Sequence, residues 1–243
     1  MVTRREFTKV ALAGLVSVPA MSRFAFGAEV VGGVHLGSQT YSFREMPRPA
    51  GAADSLDVII PAMKECGITE CELFAPHIEP PMPMGRPGET SPELVKARAA
   101  VKAWRTSTKA AHFEGVRKKF EAAGISIYAF NVNFNDSFSD EEIDAMFMAT
   151  KAMGVPVLSV STQMPTAKRL ASFADRHKQV VAMHNHARIE DPNECATIES
   201  FKTMLAMSKQ YRLNLDIGHF TAANYDAVAY ILSLIHISEP TRP

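Results

Sequence analysis

Six times along this chain a short β-branched or apolar run is followed by a longer segment with apolar residues at helical spacing. This alternation limits the fold more than any other feature, because parallel strands joined by crossover helices bury both kinds of element at once. The strand-like runs fall at residues 34–40, 68–74, 125–130, 155–160, 180–184 and 213–216. The helical segments fall at 55–66, 112–123 (preceded by an Ala-, Lys- and Arg-rich helix), 139–153, 166–176, 196–211 and from 224 to 231. Leu56, Ile59, Ile60 and Met63 set the helical period of the first, and Pro61 within it implies a kink or a late start. Ser139 followed by Asp140, Glu141 and Glu142 supplies an N-cap and an acidic first turn. Residues 76–92 are too polar and too rich in proline to form a core element.

Two architectures fit six βα units. A doubly wound sheet would gather its polar groups at one switch point, and no Gly-rich dinucleotide loop follows the first strand. Here polar residues instead recur at successive strand ends: Gln39 and Tyr41, Glu72 and His77, Asn131 and Asn133, Ser161 and Gln163, His184 and His186, Asp216 and His219. One polar rim fed by every strand is what a barrel enzyme needs. The expected fold is α/β, a (β/α)8 TIM barrel truncated after about six βα units. Lys plus Arg and Asp plus Glu number 26 each, so no net field draws the chain to nucleic acid or an anionic membrane. Three cysteines, Cys66, Cys71 and Cys195, are too few and too irregular for a disulfide framework, and packing is the favoured reading for Cys66 and Cys71.

Two motifs carry the chemistry. In Met183-His184-Asn185-His186, at the end of the fifth strand, an extended backbone turns both imidazoles one way and Asn185 the other. Such a pair ligates a divalent metal or polarises a sugar hydroxyl; alone, it is as readily two hydrogen-bonded surface histidines. Leu215-Asp216-Ile217-Gly218-His219 places a carboxylate and an imidazole on a turn that Gly218 permits. The plainer reading has Asp216 capping the segment after it. Glu72 is either a catalytic acid or the partner of a base on a neighbouring strand. Trp104, the only tryptophan, is either a sugar-stacking platform or a wedge between helix and barrel.

From residue 34 to about 231 the sequence resembles the xylose-isomerase-like, or sugar phosphate isomerase/epimerase, TIM barrels. The resemblance rests on Ser38-Gln39-Thr40-Tyr41-Ser42-Phe43-Arg44, Glu72-Leu73-Phe74, Ala123-Gly124-Ile125, the His-Asn-His segment and Leu215-Asp216-Ile217-Gly218-His219. It implies a divalent metal (Mn, Co, Mg or Zn) and metal-assisted proton transfer beside a sugar carbonyl, giving isomerisation or epimerisation. Asp216 and His184 would hold the metal, although His184 stands where many relatives have a glutamate. Glu72, His186 and His219 would be catalytic, and Gln39, Tyr41, Asn131 and Trp104 would bind substrate. Further ligands would lie on a seventh and an eighth strand, so this chain would carry half a site and no turnover is expected of it. The same barrel also suits a keto-sugar or inositol dehydratase or lyase, a non-catalytic exported sugar-binding protein, or an AP-endonuclease-like hydrolase, which the neutral charge disfavours. The expected partner is a small-molecule sugar, with no nucleic acid; homo-oligomerisation is left open.

The two ends read differently from the middle. Thr3-Arg4-Arg5-Glu6-Phe7-Thr8-Lys9, an apolar stretch too short to span a bilayer, and Ala25-Phe26-Gly27 resemble a twin-arginine signal peptide over residues 1–27. Export to the periplasm, or otherwise through the twin-arginine pathway, is the expectation, with no membrane span after cleavage. Residues 232–243 resemble a translated sequencing adapter and are set aside as non-native; the competing reading takes 233–237 as a genuine strand. Residues 28–231 remain as the partial barrel.

Overall fold

The computed structural model describes residues 30–31, 33–83 and 90–235. The signal-like segment 1–27 and residues 236–243 of the adapter-like tail lie outside them. Six strands, β1 (Ser38–Gln39), β2 (Glu70–Phe74), β3 (Ser126–Asn131), β4 (Val157–Ser161), β5 (Val180–His184) and β6 (Tyr211–Asn214), form one sheet in sequential order. Every neighbouring pair is parallel. Helices α1 (Leu56–Glu65), α2 (Pro92–Ser107), α3 (Ala110–Ala122), α4 (Asp140–Ala152), α5 (Met164–His177), α6 (Ile198–Leu205), α7 (Ile217–Ala222) and α8 (Ala227–Ile235) complete the βα alternation. None of the described helices is long and apolar enough to cross a membrane.

The two faces of the sheet are chemically different, and the sequence of β4 shows why. Leu158 and Val160 are fully buried and belong to the core with Phe147, Phe120, Phe173 and Phe201. Ser159, between them, points the other way. Its hydroxyl accepts hydrogen bonds from Asn131 Nδ2 on β3 (3.3 Å) and from Asn214 Nδ2 on β6 (3.0 Å). Yet β6 is two strands away, with β5 between. Side chains can meet across an intervening strand only on the concave side of a curled sheet, and only over a small residue. That residue is Ala182, which pairs with Ser159 on one side and Arg212 on the other. The polar face is therefore the inside of a barrel wall, and the apolar face meets the helices.

Helix ends follow the local sequence. Ser139 and Glu142 form a reciprocal capping box at the start of α4, as the Ser-Asp-Glu-Glu run requires. Gly124 takes a φ of 75° after α3, so that Ile125 N–H can reach back to Phe120 O. Pro61 lies inside α1 at its sixth residue.

Three expectations need correction, and the competing strand reading of 233–237 fails for its described residues. The first strand-like run breaks in two: Val34–His35 pairs antiparallel with Val30–Val31, and only Ser38–Gln39 enters the sheet before the 3-10 turn Thr40–Phe43. The segment 196–211 is helical only over Ile198–Leu205, because the Ser208 side chain caps a turn by bonding Gln210 N–H and Asp175. Cys66 is exposed, whereas Cys71 and Cys195 are buried; all three are free thiols. Helix α8 continues through 232–235, so residues 233–235 are helical rather than part of a strand.

His77, at the end of the 3-10 turn Ala75–His77, is buried with its Nδ1 3.0 Å from Thr40 Oγ1. Burial, helped by the Arg48 charge, pushes its pKa down to about 4 from about 6.5. The unfolded chain therefore binds the extra proton first as pH falls, so this group takes stability away between about pH 6.5 and 4 and adds no further loss below. Tm measured across that window should fall for the native chain, and His77→Gln should flatten this part of the profile.

Candidate metal and proton-transfer site

Strand β5 alternates Val181 and Met183 into the helical layer with Ala182 and His184 onto the inner face. Asn185 follows, fully buried, and turns toward β6 rather than into the lumen. Its Oδ1 accepts the Asp216 N–H at 2.7 Å and its Nδ2 donates to Asp216 O at 3.1 Å. This reciprocal pair fixes the end of β5 against the segment leaving β6. His184 and His186 flank the anchor on one side of it, and Asp216 is the anchored residue on the other.

Asp216 is the N-cap of α7, and its Oδ1 accepts the His219 N–H at 2.8 Å. One carboxylate oxygen is thereby committed to the helix. The other, Oδ2, lies 4.0 Å from His184 Nε2. The Asp-Ile-Gly-His stretch is thus a helical turn rather than an open one. Gly218 serves it through its missing side chain, since a Cβ there would sit 3.1 Å from Asp216 Oδ1. The cap projects His219 back over the strand ends, and one ligand atom from each of His184, Asp216 and His219 lies within 4.8 Å of the others. Two imidazoles and a carboxylate are a donor set that suits a borderline divalent cation, and they could close on one with small side-chain rotations.

His186 belongs to the same cluster without sharing that role. Its ring centroid is 5.5 Å from those of both His184 and His219. Both of its nitrogens are engaged: Nδ1 lies 2.6 Å from Glu194 Oε2, and Nε2 lies 2.9 Å from Ser161 Oγ at the end of β4. A carboxylate can only accept, so the neutral ring carries its proton on Nδ1 and offers the Nε2 lone pair to the Ser161 hydroxyl. Glu194 is almost fully buried and also receives Arg188 and Gln163. Burial alone would raise its pKa; the hydrogen bond from His186, the Arg188 charge and the hydrogen bond from Gln163 oppose that, and the carboxyl is held below its ordinary value. His184 is held below its ordinary pKa by burial and by the neighbouring His186, with Asp216 pulling the other way.

The remaining candidates sit elsewhere on the inner wall or away from it. Gln39 Nε2 donates to Glu72 Oε1 at 2.6 Å, between paired residues of β1 and β2, so the buried Glu72 meets a neutral amide rather than a base. Asn131 is committed to Ser159. Tyr41 is exposed, edge-on to Phe74, with the Arg44 guanidinium over its ring. Trp104 packs edge-on against His112 and Phe113 where α2 meets α3, which gives it a helix-packing place apart from the imidazoles. Three contributors escaped the sequence reading in these roles: Asn185 as anchor, Glu194 as the partner of His186, and Ser161 as the hydroxyl on its other nitrogen. His-Asn-His hinted at the first, since an asparagine facing away from two paired imidazoles needs polar company when buried. Glu194, eight residues on in an irregular loop, gave no such signal.

No protein-family model and no curated protein matches the chain. Solved structures do. The probable 3-DHS dehydratase AsbF from Bacillus anthracis superposes with a TM-score of 0.54 at 14% identity, over 82% of this chain and 69% of that one. A sugar phosphate isomerase/epimerase from Parabacteroides distasonis gives a TM-score of 0.49 at 14% identity, over 89% and 76%. A xylose isomerase domain protein from Alicyclobacillus acidocaldarius gives 0.47 at 10% identity, over 77% and 65%. This chain spans from about half to three quarters of the length of the solved structures it matches. Its fold is α/β, with six consecutive βα units of parallel strands and crossover helices among the described residues, the fold it shares with the AsbF structure.

The anchor can be tested directly. Asn185→Ala removes two part-buried hydrogen bonds made by a fully buried side chain and takes their partner from the Asp216 N–H and C=O, at a cost of about 1–3 kcal/mol. Denaturant titration should show that loss. Asn185→Asp keeps the acceptor and should lose less.

Proposed function

We propose that this chain provides the metal-binding and proton-transfer half of a sugar isomerase or epimerase. The observation that carries the reading is a three-residue donor set, His184, Asp216 and His219, beside a fourth imidazole already oriented by a buried carboxylate. A divalent cation bound there would supply Lewis-acid polarisation of a carbonyl oxygen. The donors narrow the choice from the oxygen-loving Mg toward Mn, Co or Zn.

His186 is the general base of this reading. Glu194 holds its proton on Nδ1, so Nε2 is the nitrogen free to take a proton from a carbon beside the carbonyl and return it to the same or the neighbouring carbon. Ser161 keeps Nε2 aimed until a substrate displaces its hydroxyl. Glu72 and Gln39, on the other arm of the curled wall, present an oxygen and an amide to hydroxyls of the same ligand, and Tyr41 stands at their rim. His219, which the resemblance makes catalytic, joins the metal donors. Export through the twin-arginine pathway would deliver the protein with its metal already bound.

A second reading keeps the same residues and changes the outcome. Loss of a hydroxyl from the carbon beyond the abstracted proton gives a dehydratase, the activity that the AsbF structure's name carries. Both readings begin with exchange of one carbon-bound proton.

That first step is the test. In D2O with Mn²⁺ or Co²⁺, ¹H NMR of a panel of aldoses, ketoses and keto-sugars should show loss of a single carbon-bound proton signal. His186→Ala and Asp216→Ala should each abolish it; this chain should exchange the proton without net conversion, and in a chain extended by a seventh and an eighth strand a product lighter by one water would select the dehydratase. Exchange that persists in both variants would overturn the reading. Cobalt should also give a visible absorption band, weakened at least ~10-fold in affinity by His184→Ala and left in place by Glu194→Gln, because Glu194 orients His186 rather than a donor.

A further inference from the structure

His186 also sits in a second arrangement, complete without any metal donor. The Ser161 hydroxyl meets its Nε2 at 2.9 Å, and Glu194 Oε2 meets its Nδ1 at 2.6 Å. With the ring proton on Nδ1, the Nε2 lone pair faces the Ser161 O–H. A hydroxyl, an imidazole and a carboxylate in this order are the nucleophile, base and orienter of covalent acyl transfer, a constellation defined by geometry on unrelated folds. The orienter is itself held. Its side chain is 2% exposed, and it receives Arg188 and Gln163 as well as His186. Burying a carboxylate costs desolvation free energy, and a histidine that only packs gives no reason for that cost.

The hydroxyl stands where a small molecule can reach it. Ser161 is half-buried, and with His186 and Glu194 it lines a cavity of about 490 Å³, within the usual small-molecule range of about 300–1,000 Å³. Asn133 lines the same cavity from the segment after β3. It is exposed, and its side-chain amide has no hydrogen-bond partner among the described residues. An amide of this kind can donate to a developing oxyanion. Two carboxylates, Asp136 and Glu194, stand in the lining against one guanidinium, Arg188. That balance repels an anionic acyl group and accepts a neutral one.

We infer that Ser161 is the nucleophile of a metal-independent esterase activity toward esters of small, uncharged carboxylic acids. Ser161 Oγ bonds the carbonyl carbon while its proton passes to His186 Nε2. The ester C–O bond breaks, and the alcohol leaves with that proton. Water then attacks the acyl-serine, giving a proton to Nε2 that returns to Ser161 Oγ as the free acid departs. The sum is ester plus water to acid plus alcohol. All three residues belong to this chain, so the reaction needs neither a metal nor further strands and stands apart from the sugar-converting reading.

The test uses the full chain in EDTA with two probes. An alkyl fluorophosphonate traps an activated serine by losing fluoride, and p-nitrophenyl acetate reports turnover. Peptide mass mapping should place a phosphonyl adduct on Ser161, and p-nitrophenolate release should exceed the buffer rate. Ser161→Ala should abolish the adduct. Glu194→Gln puts an amide behind Nδ1 and should slow both reactions about 100-fold or more, as should His186→Gln. A hydroxyl that only aims Nε2 would take no adduct. Native chain with no adduct on Ser161 would overturn the proposal, and so would labelling at an unchanged rate in both Glu194→Gln and His186→Gln. Because the chelator removes any cation, either result leaves the metal-dependent proton exchange to its own test.

Discussion

Everything at this site depends on two hydrogen bonds between the Asn185 side chain and the backbone of Asp216. Strands β5 and β6 are neighbours, but their last paired residues are His184 and Asn214, and the chain beyond is loop on one side and helix start on the other. Without the asparagine, nothing in the ladder would fix Asp216 against the two histidines. With it, the carboxylate arrives with one oxygen bound to α7 and the other facing His184. The buried amide thus converts two sequence motifs, thirty residues apart, into one donor set.

The second constraint is curvature. A flat parallel sheet with two apolar faces would have hidden these polar strand ends under helices. Ala182 instead lets Asn214 reach Ser159, and the bridge of small polar side chains draws β3, β4 and β6 toward one another on the inside. His186 then reaches the Ser161 hydroxyl on β4, so that one imidazole joins the His184–Asp216–His219 side of the rim to the β4 side. A larger residue than alanine at 182 would push that bridge apart.

The alternation of elements, the sequential parallel order and the rim of polar strand ends were legible in the sequence because each follows from a short-range pattern. Period-2 and period-3.6 spacing announce strands and helices, and Ser139 and Gly124 announce their ends. What was not legible came from contacts distant in sequence. Glu194 has meaning only where its loop folds back, His186 N–H bonding to Cys195 O. Helix α7 reads as a turn in the sequence because Gly218 suggests one, whereas the glycine makes room for a capping carboxylate. Trp104 draws attention as the lone tryptophan, yet its neighbours are two aromatic side chains of α3. The place of the His219 ring beside His184 and Asp216 was hidden for the same reason: a cap, not a spacing rule, sets the helical turn that carries it.

X-ray absorption spectroscopy of the cobalt- or zinc-loaded chain examines the central claim, that His184, Asp216 and His219 together hold a cation while His186 stands outside. The account predicts imidazole scattering from two histidines plus light oxygen neighbours, reduced to one histidine in His184→Ala and unchanged in His186→Ala. A spectrum without histidine scattering, or one that loses a histidine in His186→Ala and none in His184→Ala, would contradict it.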